Sequence, residues 1–102
     1  MEKNWENVKK LIGYSEKGII SKEIFKTDKI NVTLFCLAEN TSISGHTSTK
    51  EGIVFVLEGS GTFNLEGEDI AMAPGVFISM KNNAAHSIKV KENTAFILIL
   101  TS

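Results

Sequence analysis

Residues 45–63 read GHTSTKEGIVFVLEGSGTF, and the second half of this stretch decides the fold. An apolar run at 53–57 stops at Gly59-Ser60-Gly61, and another run opens at Thr62. Two glycines in three positions supply the positive φ that a tight reversal needs, so the segment predicts strand, turn, strand. The same pattern extends outward. Ile30, Val32, Leu34, Cys36 and Ala38 alternate with Asn31, Thr33, Phe35 and Leu37, which is the period of a strand with a partly covered second face. Further strands are expected at 19–26, 62–65, 69–73, 76–79, 87–90 and 94–100. Turn signals separate them at 27–29, 39–40, 66–68, 74–75 and 92–93. Many short strands at close spacing predict an antiparallel sandwich or barrel. One short helix is expected at 4–12, where Trp5, Val8, Leu11 and Ile12 share a face between Asn4 and Gly13.

The chain has 102 residues, one domain by length, and 42% of them are hydrophobic, enough for a single core. Lys and Arg number 11 against 12 Asp and Glu and are spread along the chain, so the basic patch of a nucleic-acid binder is missing. The start, MEKNWENVKK, is charged and has no apolar stretch of the secretory kind. The apolar run at 95–100 is far too short to span a bilayer. A single cysteine, Cys36, fits a reducing compartment, and a cytoplasmic location is expected. Among apolar strand neighbours it reads as a buried structural thiol.

These residues resemble the cupins, which are small double-stranded β-helix (jelly-roll) barrels. VLEGSGTF (56–63) matches the end of the first cupin motif, G-x5-H-x-H-x3,4-E-x6-G. GEDIAMAPGVFIS (67–79) matches the first part of the second motif, G-x5-P-x-G-x2-H-x3-N, with Pro74-Gly75 at the turn. AAHSIKV (84–90) supplies the histidine of that motif. Each turn alone is a weak signal; their order, spacing and flanking strands together carry the likeness over about residues 30–100. It implies an all-β jelly-roll cupin barrel over about 18–100 with one short N-terminal helix, in a single domain spanning 1–102.

The resemblance also assigns ligand slots. Counting back from Gly59, the first-motif histidine falls on His46, the second on Ser48 and the glutamate on Gly52, with Glu51 one residue early. His86 takes the second-motif position after a loop, 80–85, that is longer than usual. Ser79 and Val90 replace the usual proline and asparagine. A subset of small cupins with a His-Thr-x-x-x-acid first motif is similar to His46-Thr47 and Glu51. Strand alternation alone places His86 on the face of Ile88 and Val90, hence inward.

Two functions follow from different classes. In the first, the barrel binds a small molecule in a partly apolar pocket lined by His46, Ser48, His86 and Met80, with neutral, hydrogen-bonded histidines. In the second, a metal-dependent oxygenase or isomerase uses His46, His86 and Glu51 to hold one divalent transition metal (Fe, Zn, Ni or Mn) weakly. Such binding is expected to fade as the imidazoles protonate below about pH 6. Glu51 enters that set only through a bulge near Gly52, because in an unbroken strand the two residues face opposite ways. A third alternative is a structural dimer whose pocket is vestigial. Ser42, Ser44 and Ser48 lie near His46, but without a nucleophile elbow or an orienting acid they do not make a hydrolase. Met72, Phe77, Met80 and Phe96 are candidates for an apolar pocket wall or plain core. A homodimer is expected, because the apolar Ile19, Ile20, Ile24 and Phe25 with the Trp5 helix exceed what a small barrel buries alone.

Overall fold

The computed structural model describes residues 4–101; residues 1–3 and 102, assigned above to the same domain, lie outside them. Among the described residues, nine strands run in chain order: β1 Ile19–Lys26, β2 Ile30–Leu37, β3 Ser42–His46, β4 Glu51–Glu58, β5 Gly61–Leu65, β6 Glu68–Met72, β7 Phe77–Met80, β8 His86–Val90 and β9 Thr94–Thr101. They form a five-stranded sheet, β1-β2-β9-β4-β7, and a four-stranded sheet, β3-β8-β5-β6. Each pairing is antiparallel. This is the expected all-β jelly-roll, two sheets packed face to face.

Alternation decides which side chains meet between the sheets. Val54 and Val56 of β4, Phe63 of β5, Ile78 of β7, Val90 of β8 and Phe96 of β9 are buried there with Leu37 and Met72. The opposite face of the five-stranded sheet has its own apolar cluster, Leu34, Cys36, Ala95 and Ile97. That explains why both faces of β2 are apolar in sequence. The cover is the N-terminal segment: Val8, Leu11, Ile12 and Tyr14 pack on this second cluster together with Ile20 and Ile24.

The short helix is a single 3-10 turn, Val8–Leu11, narrower than the expected 4–12. No side chain caps it at Asn7, and so short a nucleus persists only by packing on the sheet. Trp5, expected on its apolar face, is 65% exposed. Two polar ties anchor the segment: Lys22 Nζ donates to the Leu11 carbonyl at 2.6 Å, and the Tyr14 hydroxyl donates to Glu58 Oε2 at 2.7 Å. Partial burial, then the adjoining Glu58 carboxylate, push the Tyr14 phenol well above its ordinary value.

The decisive turn closes tightly. Gly59 sits at φ 105°, and Ser60 N–H donates to Thr94 Oγ1 at 3.1 Å. Thr94, fully buried, has its hydroxyl 2.9 Å from the Glu92 carbonyl. The β4–β5 turn is thereby locked onto the start of β9.

The one strand the sequence pattern misses is β3. In SISGH only Ile43 is apolar, and the strand's burial follows it alone, so no alternation announces it. Pairing with β8 makes it a strand. Its last residue is His46.

Candidate functional site

His46 ends β3, His86 begins β8, and the two are cross-strand partners. A register shift between Ile43 and His46 bends the end of β3, and the imidazoles meet with ring centroids 4.2 Å apart at 65°. His86 is half-buried on the face of Ile88 and Val90, as its alternation requires, while His46 is exposed at the rim. Each Nδ1 lies 3.1 Å from a backbone carbonyl, Ser44 O for His46 and Ala84 O for His86. A carbonyl only accepts, so each Nδ1 carries the hydrogen, and in the neutral ring Nε2 is left with its lone pair.

Below the two rings lies a cavity of about 200 Å³. Its walls are Phe35 and Phe96, stacked at 5.3 Å, then Met80, Val54 and Leu98, with Ile43, Phe63 and Ile88 from the four-stranded sheet. Phe63 also stacks on the His86 ring, 5.8 Å between centroids and 4° from parallel. No charged side chain lines the cavity; the two imidazoles are its only polar side chains.

The residues named from sequence divide here. His46, His86, Met80 and Phe96 line one cavity. Met72 is core, and Phe77 is 62% exposed. Ser48 requires correction as a pocket residue. Its hydroxyl accepts from Lys50 N–H at 3.2 Å and its carbonyl accepts from Asn83 N–H at 2.6 Å, so it ties two loops together and is not part of the cavity wall. Glu51 requires correction as a metal ligand. No bulge turns it inward: along the start of β4, Glu51 is exposed and Gly52 buried, and the only register shift in its pairing with β9 lies between Val56 and Glu58. Glu51 opens on the outer face beside Phe77, Ser79 and Thr101. The sequence reading passes over Phe35 and Phe63 as wall residues; their alternation with Leu34, Cys36 and Thr62 is the signal that finds them.

Nor does the glutamate slot itself supply a donor. A Cβ built on Gly52 would stand 2.9 Å from Met80 Cε and 3.1 Å from Leu100 Cδ2, so apolar side chains occupy that space. Among the described residues, no group of three or more His, Cys, Asp or Glu is placed to hold a metal ion. The donor set does not fit a four-ligand cupin metal centre.

Comparison with known proteins agrees with this fold. Residues 33–101 match the family model of the cupin domain. The chain is a cupin. Among solved structures it is similar to the conserved SPY1581 protein of unknown function from Streptococcus pyogenes, with 18% identity, a TM-score of 0.88, and coverage of 100% of this chain and 90% of that one. The cupin 2 conserved barrel domain protein from Leptotrichia buccalis shows 23% identity and a TM-score of 0.87 over 95% of this cupin and 47% of that chain. KdgF from Halomonas sp. shows 20% identity and a TM-score of 0.78 over 99% and 88% respectively. At these identities the likenesses speak for the fold of this cupin alone. A search of curated proteins finds no match.

Proposed function

We propose that this cupin binds a small, largely apolar molecule in the cavity whose mouth is marked by His46 and His86, and that it does so in the cytoplasm. The observation that supports this is the wall itself: two imidazoles above eight apolar side chains. Enclosed apolar surface with a few convergent polar groups is the ordinary make-up of a small-molecule site. No helix among the described residues is long and apolar enough to cross a membrane. A fragment titration followed through the Met80 methyl and the imidazole resonances tests the proposal. Binders should shift Met80, His46 and His86 together and displace one another. Fragments that shift only outer-face residues such as Phe77 would sink it.

A second reading keeps the enzyme class, with His46 and His86 as ligands of one weakly held divalent metal. The backbone clamp on both Nδ1 atoms supports it, because such a partner orients a metal-binding imidazole. Glu51 takes no part. Replacing either His46 or His86 by alanine should abolish metal uptake measured by equilibrium dialysis. Uptake that survives both changes would place the metal elsewhere.

The partner we propose for the surface is a second copy of this chain. β1 is an end strand of its sheet, and it exposes Ile19 (45%) and Phe25 (39%) along an open backbone edge. An identical antiparallel edge satisfies both the unpaired backbone groups and the apolar side chains around a two-fold axis. Ile20 and Ile24, counted toward the partner above, instead pack on the sheet's own outer cluster. Light scattering at micromolar concentration should give twice the chain mass, and Ile19→Lys with Phe25→Lys should halve it. A monomer mass for the unaltered protein would end the proposal.

A further inference from the structure

Two features of the cavity wall, neither of them the histidines, restrict the class of molecule it takes. The first is where its rings come from. Phe35 of β2 and Phe96 of β9 stack on one another in the five-stranded sheet, and Phe63 of β5 belongs to the four-stranded sheet, so aromatic surface lines the cavity from both sheets. Ring faces and ring edges carry opposite partial charge, so an aromatic ligand gains offset and edge contacts that a saturated ring lacks. The space suits such a ring. It holds about 200 Å³, and apolar cavities of about 150 Å³ take benzene.

The second feature is Met80. It is the cross-strand partner of Gly52, and its thioether lies over that glycine: a Cβ at position 52 would stand 2.9 Å from Met80 Cε. Met80 is buried and is the one unbranched side chain of the wall. Its sulfur favours contact with a ring, and its length fills the cavity on the side of Gly52. From these we infer that the cavity takes a neutral aromatic hydrocarbon ring, and that Met80 determines how large a ring system fits. The ring sits among Phe35, Phe63 and Phe96, and shortening Met80 extends the space toward Gly52. This deepens the small-molecule proposal and rests on it.

The test titrates benzene, cyclohexane and naphthalene into the unaltered protein and follows, by NMR, the methyls of Ile43, Val54 and Ile88, which line the cavity. Each affinity is scaled by that ligand's own partition from water into alkane. On this scale benzene should bind about three- to tenfold tighter than cyclohexane, the worth of ring–ring contact beyond buried area. Met80→Ala removes three heavy atoms from the wall and should raise naphthalene's affinity relative to benzene's by about tenfold, as two more buried methylene-sized groups would. Met80→Val, a milder truncation, should shift the same ratio by about threefold and keeps the test decisive if the alanine variant fails to fold. Met80→Leu, of similar volume, should leave the ratio unchanged. The inference is overturned if cyclohexane matches benzene on that scale, or if truncating Met80 leaves the ratio where it was. The small-molecule proposal survives either result. If none of the three ligands moves those methyls, the inference fails as well, and the small-molecule proposal falls with it only if the fragment titration also finds no occupant.

Discussion

Gly59→Ala should destabilise the protein by at least about 3 kcal/mol, the combined cost of a strained backbone and a buried clash. At φ 105° an alanine is strained whatever surrounds it, and here it would meet the Thr94 hydroxyl and two backbone atoms. A Cβ on Gly59 would stand 2.5 Å from the Asn93 carbonyl oxygen and 2.5 Å from Thr94 Cα. Neither can move without opening the lock between the β4–β5 turn and β9, where Ser60 N–H meets Thr94 Oγ1. Gly67 separates the two contributions, because it has φ 88° with nothing within 4 Å of a built Cβ. Gly67→Ala should therefore cost only about 1–2 kcal/mol, the backbone part. Urea unfolding of the two variants measures both. Equal, small losses would mean the turn is not locked as described.

The second large effect is expected at the vacant glutamate slot. Gly52→Glu places a carboxylate at a buried position against Met80 Cε and Leu100 Cδ2, apolar atoms that offer it no hydrogen bond. Overpacking costs about 1–3 kcal/mol, and an unpaired buried charge adds several more unless the group takes up a proton. A loss of about 3–5 kcal/mol at neutral pH is expected, shrinking on acidification as the carboxyl is neutralised. For a buried acid whose folded pKa is raised, the loss is absent below its unfolded value and grows as pH rises through it. Adding Met80→Ala should return the steric part. If Gly52→Glu costs nothing, position 52 does not face the interior as described.

How much of this was legible in the sequence follows from which signals are local. Gly59-Ser60-Gly61 and Pro74-Gly75 are turn chemistry written in a few residues, and alternation in β2 and β8 was strong enough to orient both strands. His86 could be turned inward on that basis because Ile88 and Val90 share its face and are buried. The same rule warned against Glu51, and the unbroken start of β4 shows why: Gly52 is already the inward residue. Strand β3 stayed hidden because a five-residue segment with one apolar side chain has no period to read; only its partner β8 defines it. The meeting of the two histidines depends on the bend between Ile43 and His46, a tertiary feature with no local mark. Ser48 was named from a family slot, whereas the loop it occupies is organised by its own hydrogen bonds to Lys50 and Asn83. The helix is one turn, Val8–Leu11, although the apolar contact with the outer cluster of Leu34, Cys36 and Ala95 runs on through Ile12 and Tyr14 in extended chain.

The central claim is that this cupin keeps the barrel and the two-histidine pocket without a standard metal centre. Metal content per chain, measured on untagged protein purified without chelating resin and then dialysed, tests it most directly. Two imidazoles with no carboxylate beside them should hold a divalent ion too weakly to survive dialysis, leaving well under one metal per chain. One metal per chain retained through dialysis, and lost on replacing His46 or His86, would contradict the account.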